Sequence, residues 1–308
     1  MQHHYDLSAV NLTQSSMVTI GVFDGMHRGH QHLIRALVEQ AHSADMLAVV
    51  LTFFPHPDAV LHGIIGRYYL TNPEQRARLM GELGVDHVVT LPFDQAFRQI
   101  RAAQFVDSLV ARLNMRQLSV GSDFALGYKR EGNVDFLKAQ GEAKGFLVQA
   151  VDLVQGNGDK ISSQHIREAL TNGDVEQARA WLGRAYSVSG EVVHGEQRGR
   201  RIGFPTANVA VWGELVIPAA GVYAGWAWLD GERHAAVTNV GYRPTFDGQG
   251  ITVEVHILDF NREIYGHDLA FTFETRLRAE QKFDGIQALI AQIARDVQAA
   301  REYLAAAP

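Results

Sequence analysis

The sequence predicts a parallel α/β sheet in its first half and an antiparallel β-barrel with one terminal helix in its second half. Between residues 17 and 151, short runs rich in Val, Leu and Ile alternate with segments of helical periodicity. Strands buried on both faces have this continuous apolar character, and their alternation with helices favours a Rossmann-like, doubly wound parallel sheet. From residue 186 to 275, β-branched and aromatic residues dominate in alternating runs, which is typical of an antiparallel barrel. Residues 281–304 have helical spacing.

The elements of the predicted sheet follow one another in order along the first half. Its strands are residues 18–23, 46–53, 87–91, 117–121 and 146–151, and its helices are residues 31–43, 73–83, 95–114 and 134–144. Two short helices are expected between Asp159 and Gly183, with a break at Asn172-Gly173. In the second half, Asp230-Gly231 between two apolar runs predicts a tight hairpin.

Length and charge limit the domain count and the classes of partner. The 308 residues suffice for about two domains. Because the composition changes after Gly183, we expect these domains to be residues 1–183 and 184–308. The net charge is −6, so no global field favours nucleic acid or an anionic membrane. We therefore expect no nucleic-acid or membrane partner, and any phosphate site must be local.

The absence of cysteine excludes disulfides and thiolate metal sites. No run has the length of a transmembrane helix, and the amino terminus lacks the layout of a signal peptide. These features lead us to expect a cytoplasmic protein. His3 and His4 lie in a polar terminal segment, which we expect to be frayed and solvated rather than metal-binding.

The stretch GVFDGMHRGHQ, residues 21–31, joins the first predicted strand to the first helix and is a candidate phosphate site. Its glycines, Gly21, Gly25 and Gly29, allow close approach of the backbone. Unpaired N–H groups and the helix dipole attract anions at a helix N-terminus. His27 and His30, three residues apart, could donate hydrogen bonds to phosphate. The alternative is a plain turn with packing glycines and two surface histidines.

Two further loops of the first half carry candidate ligand contacts. In TFFPHP, residues 52–57, Phe53 and Phe54 offer flat apolar surface, and Pro55 and Pro57 make the loop rigid; a strand-ending turn with core aromatics is the alternative. The loop VGSDFALGYKREGN, residues 120–133, carries paired cations that suit a polyphosphate, unless it is a solvated connection. Its candidates are Lys129 and Arg130 for phosphate, and Asp123 or Asn133 for a nucleotide or flavin edge.

The segment ISSQHIREAL, residues 161–170, reads as a helix start. Ser162 and Ser163 suit an N-cap, and capping alone would explain them. Arg167 follows one turn later, where it could reach an anion near the same helix end.

Two segments of the second half could hold a metal ion and a base. Gly203 and Pro205 lead into an extended segment in which Thr206 and Asn208, two apart, point the same way. A hydroxyl and an amide oxygen at one place suit Mg²⁺, although a buried hydrogen-bonded turn would also explain them. In VEVHILDF, residues 253–260, alternation places Glu254 opposite the apolar face of a strand. A carboxylate there could act as a general base, or simply lie on an exposed strand face.

Taken together, these motifs resemble the prokaryotic bifunctional riboflavin kinase/FAD synthetase family over residues 18–304. The first half is similar to the family's GxFDGxHxGH, TFxPHP, VGxDFxFGxxRxGN and SSTxIR patterns, of the HxGH nucleotidyltransferase type. The second half matches the order of its kinase segments RRIGFPTAN, PAAGVYAG, NVGYRPTF (ending at Phe246), VEVHILDF and RLRAEQKFDGIQALIAQIARD. The resemblance implies that the chain makes FMN from riboflavin and ATP, and FAD from FMN and a second ATP.

The resemblance also implies site residues. Catalytic roles fall to Glu254, His27 and His30. ATP or its phosphates would contact Gly21, Phe23, Asp24, Gly25, Gly29, Lys129, Ser162, Ser163, Arg167, Gly203, Thr206 and Asn208. Thr206 and Asn208 would also hold Mg²⁺. Flavin would contact Phe53, Phe54, Pro55, Pro57, Asp123, Asn133, Arg276 and Glu280.

The chain departs from the family pattern at two positions of the fourth motif. Gln164 stands where the family has Thr, which removes one hydroxyl, and His165 stands where Arg is frequent. Two rivals to the bifunctional enzyme stay open. The first, raised by these departures, is a riboflavin kinase with weakened adenylyl transfer. The second, of a different class, is a flavin- and nucleotide-binding regulator without catalysis.

Overall fold

The computed structural model of the chain describes residues 1–151, 161–195, 198–245 and 248–306. These residues form two compact units. Unit 1 comprises Met1–Ile65 and Tyr69–Ser163, and unit 2 comprises Gly66–Tyr68 and Gln164–Pro308. The predicted domain boundary at Gly183 stays a prediction. Asp159, where the helical segment is predicted to begin, and Phe246 of the NVGYRPTF stretch lie outside the described residues.

Unit 1 contains the predicted parallel sheet. Its strands are β1 (Gln2–His4), β2 (Ser16–Ile20), β3 (Leu47–Phe54), β4 (His87–Pro92), β5 (Met115–Gly121) and β8 (Leu147–Val151). They pair in the order β1-β4-β3-β2-β5-β8, and every pairing is parallel. A short hairpin of β6 (Ala125–Leu126) and β7 (Gly132–Asn133) lies in the loop after β5.

Helices cover both faces of this sheet, as the continuous apolar strands predict. The helices of unit 1 are α1 (Arg28–Ser43), α2 (Pro57–His62), α3 (Pro73–Glu82), α4 (Ala102–Leu113) and α5 (Val134–Lys144). Val50 of β3 packs in one buried cluster with residues of α1 and α3, whereas its neighbour Leu51 packs in a second cluster with α4 and α5. Alternate residues of a strand therefore serve opposite cores. The carboxyl ends of the central strands all lie at one end of the sheet, and ligands of such sheets bind at that end.

The amino terminus differs from its prediction. His3 and His4 lie on β1, which pairs with β4, and both are partly buried. The His3 imidazole bonds to the Thr90 hydroxyl at 2.9 Å, and His4 Nε2 lies 3.2 Å from His87 Nδ1. The expectation of a frayed, solvated terminus was wrong, because ladder pairing with β4 orders a segment that has no apolar pattern.

Unit 2 contains a closed antiparallel barrel. Its strands are β9 (Tyr186–Val193), β10 (Ala207–Val211), β11 (Gly221–Leu229), β12 (Glu232–Thr245), β13 (Gly248–Ile257) and β14 (Asp268–Ala279). They close in the order β10-β13-β12-β11-β14-β9. Asp230 and Gly231 both have positive φ, as the predicted tight hairpin between β11 and β12 requires. Tyr223, Phe271 and Phe273 are fully buried and fill the barrel.

The helices of unit 2 are α6 (Ser163–Asn172, of which Ser163 counts with unit 1), α7 (Val175–Leu182), α8 (Arg198–Arg201) and α9 (Ile286–Ala306). The predicted break at Asn172-Gly173 is present, and Gly173 has the positive φ of a helix end. The last helix begins at Ile286 rather than at residue 281, so Phe283 precedes it. Ala300 and Leu304 of α9 pack against β11 and β12.

Candidate functional site

The turn after β2 forms the N-terminal end of α1, as its glycine and histidine pattern predicts. Arg28 is the first residue of α1, and His27 is its N-cap. His27 Nδ1 accepts a hydrogen bond from the His30 backbone N–H at 3.4 Å, and the two imidazoles stack with ring centroids 3.6 Å apart. Gly29 lies between them, where an added Cβ would lie 3.2 Å from the His27 ring. The turn therefore brings two imidazoles to a helix N-terminus, which attracts anions.

His30 is held as a neutral imidazole with spare hydrogen-bonding capacity. Its Nδ1 is buried and has no hydrogen-bond partner among the described residues, and the Phe23 ring meets the imidazole edge-on with ring centroids 5.2 Å apart. Burial lowers the pKa of His30 well below its usual 6.5, and His27 and the Arg76 guanidinium lower it further. An anionic ligand would oppose that shift, because a nearby negative charge favours the protonated imidazole.

Asp24 ties the turn to the segment before α3. Its carboxylate accepts hydrogen bonds from the Leu70 and Thr71 backbone N–H groups and from the Thr71 hydroxyl, each at 3.1 Å. The Gly25 N–H donates to the same hydroxyl at 3.1 Å. These bonds give Asp24, which is almost fully buried, a structural role. Its predicted contact with ATP stays a prediction.

Three residues of the turn adopt backbone conformations that favour glycine or store strain. Gly25 has φ +77°, Phe23 has φ +54° and Met26 has φ +46°. A Cβ at Gly21 would lie 2.8 Å from the Phe23 ring, so Gly21 lets that ring fold back over the end of β2. The Phe23 ring can then meet His30, as described above.

Arg76 of α3 is a site residue that the sequence reasoning missed. Its side chain is fully buried and lies 3.5 Å from the Asp24 carboxylate. It also donates to the Val22 carbonyl at 3.0 Å and the Phe53 carbonyl at 3.2 Å. An arginine in the polar segment PEQRARLM reads as solvent-facing, so no local signal could have found it.

The end of β3 presents the aromatic surface that its sequence predicts. Phe53 packs edge-on against Phe93, with ring centroids 5.9 Å apart, and Phe54 packs against Tyr69 at 5.4 Å. Pro55 is exposed, and Pro57 begins α2. Both phenylalanines are only partly buried, so part of each ring remains available to a ligand.

The loop from β5 to α5 carries its cations in the open. Lys129 and Arg130 are exposed, and both have positive φ. Arg130 donates to the Asp123 carbonyl at 3.0 Å, which leaves the Asp123 carboxylate outside that bond. The Asn133 side chain accepts from the Phe136 N–H at 2.9 Å and caps α5. Asn133 thus has a capping role, and its contact with flavin stays a prediction.

The serine motif is divided between the two units. In unit 1, Ser162 is partly buried and the Ser163 hydroxyl donates to the Asp24 carbonyl at 2.8 Å. In unit 2, Arg167 lies over the Tyr68 ring at 3.9 Å and donates to its carbonyl at 2.6 Å. The exposed Gln164 bonds within its helix to Glu168 at 2.9 Å.

In the barrel, strand register brings polar side chains into one row. Asn208 of β10 lies directly opposite Glu254 of β13, and Glu254 lies opposite Asn239 of β12. Directly opposed residues share a face with Cβ atoms about 5 Å apart. Val255 points to the other face and is buried, as the alternation predicts. The sequence reasoning missed Asn239, because only register reveals that it neighbours Glu254.

A loop between β9 and β10 lies close to both predicted metal ligands. A Cβ at Gly195 would lie 2.3 Å from the Asn208 amide nitrogen, and one at Gly199 would lie 3.4 Å from the Thr206 hydroxyl. Thr206 precedes β10 and borders a cavity of about 300 Å³. The cavity is lined in part by Arg200, Phe260, Asn261, Glu263 and Tyr265. Gly203 has φ +90°, which the turn into β10 requires.

Arg276 and Glu280 lie on and just after β14. Arg276 donates to the Ala220 carbonyl at 2.7 Å and the Asn172 carbonyl at 3.3 Å. Its Nε is buried and has no hydrogen-bond partner within the part of the chain that the structure describes. Glu280 is exposed, and its carboxylate would lie 3.1 Å from a Cβ at Gly241. Their contacts with flavin stay predictions.

Among the described residues, no cluster of three or more His, Asp or Glu side chains has the geometry of a metal site. The oxygen donors of Thr206 and Asn208 nevertheless suit Mg²⁺, which keeps water and phosphate oxygens as its remaining ligands. Within the described residues, no helix is long and apolar enough to cross a membrane.

Comparison with known proteins assigns both halves. Residues 10–165 match the FAD synthetase family, and residues 182–304 match the riboflavin kinase family. The chain belongs to the bifunctional riboflavin kinase/FMN adenylyltransferase family. A family member from Listeria monocytogenes is 40% identical, with 94% of this chain and 93% of that protein aligned. The Escherichia coli K12 member is 38% identical, with 95% of each chain aligned.

A solved structure shares the whole fold. It is described as a macrolide-efflux protein from Streptococcus pneumoniae, and it matches with a TM-score of 0.87 and 31% identity. The match covers 97% of this chain and 98% of that one. The parallel sheet and the closed barrel are thus found together in a related chain.

Proposed function

We propose that the chain phosphorylates riboflavin to FMN with one ATP and adenylylates FMN to FAD with a second, releasing pyrophosphate. The observation that carries the proposal is that each compact unit brings together residues of one predicted phosphate site. Unit 1 has the histidine pair at the N-terminal end of α1, and unit 2 has the Asn208–Glu254 pair. Each of the two families that match the chain is named for one of these two reactions.

In unit 2 the riboflavin 5′-hydroxyl oxygen attacks the γ-phosphorus of ATP, and the bond to the ADP oxygen breaks. Glu254 accepts the hydroxyl proton, for which a carboxylate is a competent general base. Thr206 and Asn208 would hold Mg²⁺, which supplies charge neutralisation at the phosphates. The neighbouring cavity suits the adenosine part of ATP, and Arg276 and Glu280 would contact the flavin.

In unit 1 an FMN phosphate oxygen attacks the α-phosphorus of ATP, and the bond to pyrophosphate breaks. No side-chain nucleophile is needed, so the protein contributes position and charge. His27, His30, Lys129 and the N–H groups of α1 would neutralise the triphosphate. Ser162, Ser163 and Arg167 are further predicted phosphate contacts. The aromatic rings of Phe53 and Phe54 would support the isoalloxazine. The cytoplasmic location stays a prediction.

Two substitutions separate the reactions. Glu254→Gln removes the base, so FMN formation should fall by about 10²- to 10⁴-fold while FAD formation from supplied FMN continues. His30→Ala should do the reverse and cause FMN to accumulate. Products are measured by chromatography in two separate incubations with ATP and Mg²⁺, one supplied with riboflavin and the other with FMN.

Exposed neighbours provide matched controls. His32→Ala changes an exposed residue of α1, and Glu232→Gln changes a carboxylate whose side chain is 73% exposed. Both should leave both products unchanged. Equal loss of FMN formation from riboflavin and of FAD formation from supplied FMN, in either test variant, would contradict one reaction per unit. FMN without FAD from the wild type would support the kinase-only hypothesis that Gln164 raises, and no turnover would support the regulator.

A further inference from the structure

Arg76 connects three segments that meet at the carboxyl ends of the strands in unit 1. Its acceptors on the turn after β2 are the Val22 carbonyl and the Asp24 carboxylate, at 3.0 and 3.5 Å. At the end of β3 they are the Thr52 hydroxyl and the Phe53 carbonyl, both at 3.2 Å. Before α3 the Thr71 carbonyl accepts at 3.3 Å. A single guanidinium therefore bridges the predicted phosphate-side turn and the predicted flavin-side loop.

Anchoring α3 to the sheet does not require this arrangement. Ala77 and Met80 of the same helix already pack in the apolar cluster beneath it. Burying a charge is costly unless nearly every donor is paired, so apolar side chains would hold the helix at lower cost. Arg78, two residues later, is 69% exposed and pairs with Glu82 of its own helix. The set of hydrogen bonds that the Arg76 guanidinium makes, its fork, is therefore a feature of this end of the sheet and not of α3 as a whole.

The two connected segments carry opposite halves of the reaction proposed above. The turn leads to His27 and His30, and Phe53 and Phe54 begin the other segment. The Thr52 hydroxyl adds a direct bond to the Val22 carbonyl at 2.7 Å, which closes the same bridge. Adenylyl transfer needs the FMN phosphate oxygen in line with the α-phosphorus, so the separation of these segments is critical.

The charge of Arg76 also acts on His30. It contributes to the lowered pKa of His30, after burial and the neighbouring His27 imidazole. Among the described residues, His30 Nδ1 has no hydrogen-bond partner, so it can bond to a ligand. Arg76 on α3 and His27 at the start of α1 are the titratable groups that act on this imidazole.

We propose that Arg76 is a positioning residue for FMN adenylyl transfer, which sets the distance between the phosphate-side turn and the flavin-side loop. This inference rests on the proposed function of unit 1. It assigns Arg76 no contact with substrate. Its effect on the reaction passes through the Val22 and Phe53 carbonyls and through His30.

The test compares Arg76→Met and Arg76→Lys with the exposed control Arg78→Met in the full chain. A displacement of about 1 Å can cost about 100-fold in rate. We expect Arg76→Met to lower kcat for FAD formation from FMN by about that factor, with KM for ATP changed much less. Arg76→Lys keeps the charge but cannot form the fork, so kcat should recover only in part. Arg78→Met should match the wild type.

His30 provides a readout that a merely structural role would not move. Its imidazole resonance, assigned by its loss in His30→Ala, is titrated by NMR. The pKa of His30 should rise in Arg76→Met and remain low in Arg76→Lys, because only the first variant removes the charge. Conversion of riboflavin to FMN by the same samples reports independently that unit 2 is intact.

A milder variant covers the case in which Arg76→Met fails to fold. Thr52→Val removes one acceptor and the bond to Val22, but leaves the guanidinium and its charge in place. It should lower kcat about tenfold with the pKa of His30 unchanged. Unchanged kcat in Thr52→Val and Arg76→Lys, or full activity in Arg76→Met, would overturn the inference. A wild type that makes no FAD would instead overturn the proposed function.

Discussion

Replacing Asp296 by alanine should loosen the terminal helix of unit 2. The Asp296 carboxylate, 5% exposed, accepts three hydrogen bonds of 2.8 to 3.0 Å from Arg278 of β14 and one of 2.8 Å from Gln292. Without the carboxylate, the hydrogen bond that the Arg278 guanidinium keeps among the described residues is the one to the Ala279 carbonyl, at 3.1 Å. The variant therefore leaves a largely buried cation without its counter-ion.

Breaking a buried ion pair from one side costs about 3 to 5 kcal/mol. Because the Arg278 side chain is 18% exposed, water reaches part of it, and we take the lower end, about 3 kcal/mol. Domains are stable by only about 5 to 15 kcal/mol, so this loss is a large fraction of the total. With a urea m-value of about 2 kcal/mol per M, the unfolding midpoint should fall by about 1.5 M.

Tryptophan fluorescence is the appropriate assay, because all four tryptophans lie in unit 2. The control is Arg301→Ala, which breaks the exposed pair between Asp259 and Arg301, a residue of the same helix as Asp296. We expect no measurable shift there, since exposed pairs contribute little. An Asp296→Ala midpoint equal to that of the wild type, or an equal shift in both variants, would refute the argument from burial.

Two more predictions concern the barrel. Gly195→Ala places a Cβ 2.3 Å from the Asn208 side chain and should lower FMN formation by about 100-fold. In the control Gly213→Ala, no described atom lies within 4 Å of the added Cβ, so FMN formation should not change. Chromatography checks both, and unchanged FMN formation in Gly195→Ala would contradict the placement of Asn208 in the site. Burial raises the pKa of Tyr223 to about 12, so the unfolded state loses its proton first as pH rises above about 10. With rising pH, the urea midpoint of the wild type should therefore fall toward that of Tyr223→Phe, which has no phenol to titrate. A difference between the two midpoints that stays constant with pH would contradict this.

Much of the fold could be read from local patterns. The apolar runs predicted β2, β3, β4 and β5, because strands buried on both faces need apolar residues at nearly every position. The run over residues 146–151 also forms a strand, β8, although β8 lies at the end of the sheet and none of its residues is fully buried. The polar segment QHH has no such pattern, and pairing with β4 alone makes it a strand. The helix expected over residues 95–114 starts only at Ala102, preceded by a short 3₁₀ turn at Phe97–Gln99.

The candidate sites divide in the same way. His27 and His30 were found because their effect depends on a glycine turn and a helix start, which adjacent residues specify. Thr206 and Asn208 were found because alternation in an extended segment is local. Arg76 and Asn239 were not found, since a buried fork and a register partner depend on segments far away in the sequence.

The sequence by itself determined the two architectures, the phosphate-type turn and the candidate base, because each depends on residues within a few positions of one another. Only the tertiary structure decided that Asp24 holds Leu70 and Thr71, that Arg76 bridges two loops, and that Asn208 faces Glu254. Those facts concern hydrogen bonds and register between distant segments. Burial makes such contacts stronger, because water no longer competes for the same polar groups. Burial is in turn a property of the packed chain rather than of any local pattern.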